Sequence, residues 1–221
     1  MAWLGFSLAF MAFFASHSLL VRPAVKTWLI TRIGATCFTL LYSAMSFGVL
    51  IWLVIAARQA PFVPIWSWAP WQNYVPLVAM LPVCLILVFS IGRPNPFSFG
   101  GAHNERFNPQ EPGIVRVTRH PLLLALAIWA IGHIVPNGDV AHVILFGVFA
   151  CFALVGRRII DRRKQREMGE TWHSLSTAVR QTPLMPSLIS VGALIKLVFG
   201  VTLYCALIAF HGVIFGVSPL P

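Results

Sequence analysis

The chain has 221 residues, of which 58% are hydrophobic and only 10% charged, with 16 Lys and Arg against 6 Asp and Glu for a formal net charge of +10. Soluble domains carry about 25% charged residues, so this composition cannot clothe a folded surface in water, and lipid must be the solvent for most of the chain. Nucleic-acid binding is excluded as well, because the basic residues fall in short blocks between apolar runs instead of along one polar face.

A helix needs about 20 apolar residues to cross a bilayer, with a range of about 17 to 25. The predicted spans cover residues 2–21, 33–57, 74–92, 121–136, 140–156 and 190–217. The fold class is therefore all-α, a polytopic membrane protein of six transmembrane helices in one membrane domain over residues 1–221. The fourth and fifth runs are short and are separated only by Pro136, Asn137, Gly138 and Asp139, which predicts a tight helical hairpin.

The first span holds no basic residue before its apolar run, and Arg22 follows it, which argues for a retained span over a signal peptide. The loops then alternate in charge. Arg22, Lys26 and Arg32 fall in the first loop, Arg93, Arg106, Arg116 and Arg119 in the third, and seven more from Arg157 to Arg180 in the fifth, with Lys196 at the start of the last run. Arg58 alone falls in the second loop. By the positive-inside rule this places both termini outside the cytoplasm, with an anionic inner leaflet as the partner of the basic face. Trp66, Trp68 and Trp71 crowd the second loop, where indole rings favour the interface.

Cys37, Cys84, Cys151 and Cys205 lie within predicted spans, form no C-x-x-C pair, and read as small apolar packing residues. The predicted spans contain no acid, so intramembrane chemistry falls to the seven histidines. His17 and His133 lie well inside spans, each ending an apolar helical face: Phe6, Phe10 and Phe13 before His17, and Leu122, Leu126 and Trp129 before His133. Such faces serve helix packing or line a cofactor slot. His120 and His133 are thirteen positions apart, about 20 Å along one helix and on nearly opposite faces, so they cannot share one metal ion. A tetrahedral zinc site lacks clustered Cys, Asp or Glu. A porphyrin iron needs only one or two axial imidazoles and an apolar pocket.

Arg119-His120-Pro121 opens the fourth span and suits either an anionic group at a helix start or an orientation charge on lipid phosphate. The basic stretch from Arg157 through Glu167, Gly169, Trp172, Arg180 and Pro186 reads as an amphipathic continuation of the fifth span. It would lie on the inner leaflet or act as a lid over Arg119 and His120. Asn137, Asp139 and His142 form a hairpin turn with a plausible cap and ion pair.

Read together, His17-Ser18-Leu19-Leu20-Val21-Arg22-Pro23, Tyr42-Ser43, Ser46, Gly113-Ile114-Val115-Arg116, Arg119-His120-Pro121, Gly132-His133, Asn137-Gly138-Asp139 and the basic run to Trp172 resemble the NnrU family across nearly the whole chain. The resemblance implies a bacterial membrane protein associated with denitrification and nitric oxide metabolism, with a denitrification or electron-transfer partner. The family is also similar to plant zeta-carotene isomerase, whose heme b is held by axial histidines. By motif those ligands correspond to His17 and His133, with Arg119 and His120 near the propionates or a substrate anion. Depth counting pairs His17 with His120, and His133 with His142, as the alternative. The Arg-His-Pro element and the tail with Glu167, Trp172 and Arg180 also look like the isoprenylcysteine carboxyl methyltransferases, which implies S-adenosylmethionine and methyl transfer as the second reading. A non-enzymatic accessory role is the third.

Overall fold

The structure is a computed structural model that describes residues 2–184 and 190–221; Pro186 of the tail lies outside the described residues. The described residues form helices and connecting segments with no strand, and the chain is an all-α polytopic membrane protein. Five stretches, Ala2–Leu19, Ala35–Gln59, Pro70–Ser90, Val140–Met168 and Val191–Phe215, are long and apolar enough to cross a membrane. The sixth apolar helix, Pro121–Ile134, has 14 residues and spans about 21 Å at about 1.5 Å per residue. Large apolar side chains point outward all round these helices, to the extreme of Val213 at 83% exposure. Such a surface is stable in hydrocarbon and not in water.

The described residues fall into two compact units. The first comprises residues 1–66 with 139–145. Here α1 (Ala2–Leu19) packs on α3 (Ala35–Gln59), burying Phe6, Ala9 and Phe13 of one and Phe38, Leu53, Ala56 and Ala57 of the other. Between them the first basic loop is itself a helix, α2 (Pro23–Ile33), with proline in its first turn and no buried residue. Arg32 of α2 lies 5.3 Å from the centre of the Trp28 ring, an amphipathic pair suited to an interface. Val140 N–H donates to the Val63 carbonyl at 3.0 Å, beside an isolated bridge between Pro64 and Asp139.

The second unit comprises residues 67–138 with 146–221. Its α4 (Tyr74–Ser90) lies between α6 (Pro121–Ile134) and α9 (Val191–Phe215). Glycines permit the two close approaches: a Cβ on Gly132 would meet Ala79 Cβ at 2.9 Å, and one on Gly200 would meet Leu85 Cδ2 at 2.7 Å. Small residues at helix contacts are the usual packing device in lipid, where apolar burial drives nothing. Tyr204 donates to the Leu77 carbonyl at 3.0 Å, near the point where Pro82 withholds a backbone donor.

The helix α7 (Val140–Met168) runs back along α6, with Leu123 and Ala127 on Ala153 and with Trp129 on Phe146 and Phe149. That is the hairpin expected from the turn. It continues well beyond residue 156, reaching 29 residues and about 43 Å, because its Arg and Lys run forms helix readily. Gly169 stops it at a positive φ of 55, which residues with a side chain rarely adopt. After this corner α8 (Glu170–Gln181) buries Trp172, Ser176 and Val179. Phe97, Val115, Trp172 and Val179 form one core, flanked by Phe107, Ile114, Met168 and Leu175. The tail therefore packs apolar side chains onto the segment between α4 and α6, including the single turn α5 (Ile114–Val117).

Candidate functional site

The densest polar cluster is at the basic edge of the α6–α7 hairpin. Arg119 grips Asp161 with two parallel bonds, Nε to Oδ1 at 3.2 Å and Nη2 to Oδ2 at 2.8 Å. This is the fork geometry that makes guanidinium–carboxylate pairs strong. His120 stands 3.0 Å from the same Oδ1 through Nε2 and 3.0 Å from Ser98 Oγ through Nδ1. An ionised carboxylate only accepts, so Nε2 carries the proton and Nδ1 accepts from the Ser98 hydroxyl. Both ring nitrogens are thus engaged, in a side chain only 2% exposed. Burial holds the His120 imidazole below its ordinary value, outweighing the pull of Asp161 in the other direction.

Around this core, Asn95 Nδ2 donates to the Arg119 carbonyl at 3.0 Å, while its Oδ1 accepts from Phe97 N–H at 3.1 Å. The Arg119 guanidinium also lies 5.3 Å from the Trp172 ring centre. The tail thus contacts Arg119 through Trp172. Arg116 Nε donates to the Thr182 carbonyl at 2.6 Å, and Thr182 Oγ1 to the Pro109 carbonyl at 2.8 Å, tying the end of α8 to the same segment.

The intramembrane histidines are arranged differently. In the first unit, His17 Nδ1 lies 2.8 Å from the Phe13 carbonyl, with its ring stacked on Phe13 at 4.2 Å and edge-on to Tyr42 at 5.9 Å. In the second, His133 Nδ1 lies 2.8 Å from the Trp129 carbonyl, with Trp129 and Phe146 each 5.4 Å from its ring centre. A carbonyl cannot donate, so in both rings Nδ1 carries the proton and Nε2 the lone pair. This tautomer and tether match those of metal-ligating imidazoles. No cluster of three or more His, Cys, Asp or Glu suited to a metal ion occurs among the described residues, and the four cysteines are free thiols.

Of the remaining sequence candidates, Asn137 Nδ2 donates to the His133 carbonyl at 2.7 Å, satisfying one open acceptor at the end of α6. Asp139 caps α7 through the His142 N–H at 3.3 Å and pairs with His142 Nδ1 at 2.6 Å. Glu167 is paired with Arg163 at 2.6 Å and Lys164 at 3.0 Å on the exposed side of α7, an arrangement worth at most about 0.5 kcal/mol per pair. Arg180 is exposed near the end of α8. Asp161, Ser98 and Asn95 complete the Arg119–His120 cluster from outside the Arg-His-Pro element. Asp161 had one legible signal, an acid among six isolated in the basic run of the fifth span's continuation.

No curated protein and no solved structure matches the chain. The family described as NnrU protein matches residues 5–219, a stretch that holds the Ser-His-Ser element of α1, the Arg-His-Pro start of α6 and the tail beside Arg119. The chain belongs to the NnrU family.

Proposed function

We propose that this inner-membrane protein binds heme b through histidines within the bilayer, with His17 and His133 as the candidate iron ligands, in an isomerase-like or nitric-oxide-related role. The observation that carries the reading is the tether shared by the two rings. Each donates Nδ1–H to the carbonyl four residues earlier at 2.8 Å and keeps the Nε2 lone pair for an electrophile. Such a tether fixes the ring and raises the basicity of Nε2. Phe13 beside His17, and Trp129 with Phe146 beside His133, supply apolar surface against the two rings. When bound, heme supplies an iron whose potential and ligand affinity depend on its axial groups.

Arg119 and His120 hold the basic edge of the hairpin through Asp161 in this reading. The charge distribution supports an orientation with both termini in the periplasm, to be checked with reporter fusions at each end. The proposal itself is tested by absorption spectroscopy of detergent-purified protein expressed with ample heme. A Soret band with reduced-form splitting typical of b-type heme supports it, and its absence removes it. Thermal stabilisation by S-adenosylmethionine without a Soret band would favour methyl transfer. Co-purification with a partner and no cofactor would favour an accessory role.

A further inference from the structure

Of the six acids, Glu105 lies by His103 and Arg106, Asp139 pairs with His142, Asp161 with Arg119 and His120, and Glu167 with Arg163 and Lys164. None of the six, Glu111 and Glu170 included, is paired with Arg93 or Lys196. Yet both are half-buried, and the packing of α4 on α9 brings together the segments that carry them. The helix register explains the approach. Leu77 meets Tyr204 and Leu85 meets Gly200, so the end of α4 lies beside the start of α9. Lys196 Nζ reaches a point 5.9 Å from the centre of the Phe89 ring in the last turn of α4, four residues before Arg93.

Two features of this corner are unfavourable by themselves. Two half-buried cations stand at one corner with no carboxylate partner, and Lys196 occupies the second turn of α9, near the helix end whose dipole is positive. The guanidinium is nevertheless seated. It lies against Gly113, φ 56, where a Cβ would overlap Arg93 Nη1. We propose that Arg93 and Lys196 form a binding site for a phosphate-bearing anion at the basic edge of the second unit. Arg93 offers the planar donor set suited to two phosphate oxygens and Lys196 a point charge. The Phe89 ring beside Lys196 suits the glycerol or acyl part of an acidic phospholipid. The anion supplies the charge that the chain withholds, and the start of α9 adds its own field.

The test compares thermal unfolding of the full chain in phosphatidylcholine nanodiscs, in the same discs with phosphatidylglycerol, and in the first discs with inorganic phosphate. The wild type is expected to gain several degrees from phosphatidylglycerol if the anion is a lipid headgroup, or from phosphate if it is a free ion. Arg93→Gln with Lys196→Gln should abolish that gain, and Gly113→Ala, which keeps both charges but displaces the guanidinium, should weaken half-saturation about tenfold. Arg163→Gln, in the exposed pair with Glu167 on α7, should leave the gain intact. No gain from either anion in the wild type, or an equal gain in the double variant, would overturn the proposal.

Discussion

His120 and His133 stand at the two ends of α6, and the protein uses their rings in opposite ways. At the basic edge, Asp161 and Ser98 take both nitrogens of His120. Inside the bilayer, His133 is tied through Nδ1 alone, to the Trp129 carbonyl. His17 repeats the His133 pattern on α1 with the Phe13 carbonyl. Burial follows the same division, since His120 is buried whereas His17 and His133 are half-buried. The lesson is in the valences: an imidazole with two protein partners has become part of the scaffold, while one tethered at a single nitrogen keeps a lone pair for chemistry.

The largest expected effect tests the available rings. His133→Ala and, separately, His17→Ala should each remove or shift most of the Soret absorbance per purified chain, while leaving the helical circular dichroism in place.

Next in size is the scaffold itself. Asp161→Ala leaves Arg119 and His120 without their shared acceptor, and breaking a buried pair from one side costs about 3 to 5 kcal/mol. Here Arg119 is 28% and Asp161 22% exposed, so a loss nearer about 2 kcal/mol is expected, read as a lower thermal midpoint with any bound cofactor retained.

A smaller effect follows from the depressed basicity of His120. In the unfolded chain histidine titrates near about 6.5, so as pH falls the unfolded state takes up the proton first. The stability associated with neutral His120 is full above about pH 6.5 and is lost as pH falls through the folded value. Between about pH 7.5 and about pH 5.5 the wild-type midpoint should fall more steeply than that of His120→Gln.

The smallest effect tests how the tail reaches Arg119. Gly169→Ala strains the positive-φ corner between α7 and α8 by about 1 kcal/mol, enough to raise protease sensitivity around Glu170 without changing a heme spectrum.

The spans were legible in the sequence because lipid tolerates few charges, so each crossing leaves a charge-free run. The end of α7 was not. Polarity marks where a helix leaves the bilayer, but backbone bonding decides where it stops, and Arg157 to Met168 continue the helix up to Gly169. The first basic loop hid α2 for the same reason, although Pro23 marked its first turn.

At the candidate site, Arg119 and His120 could be singled out by sequence, whereas their partner Asp161 is 42 and 41 residues away. Its role depends on the register of an antiparallel hairpin closed at Pro136 to Asp139, which sets the start of α6 beside the later turns of α7. Ser98 and Asn95 come from a segment without periodicity, so nothing in their spacing pointed to His120. The tethers of His17 and His133 fall between these cases. A carbonyl four residues earlier is given by any helix, but the ring rotamer that reaches it is set by packing against Phe13 and Trp129.

The most direct test of the contrast is one set of absorption spectra, oxidised and reduced, on purified wild type, His17→Ala, His133→Ala and His120→Gln at equal chain concentration. The expected result is a b-type Soret band in the wild type, kept in His120→Gln and lost or shifted in both alanine variants. A wild type without the band after heme-supplemented expression, or a band lost in His120→Gln and kept in the other two, would contradict the assignment.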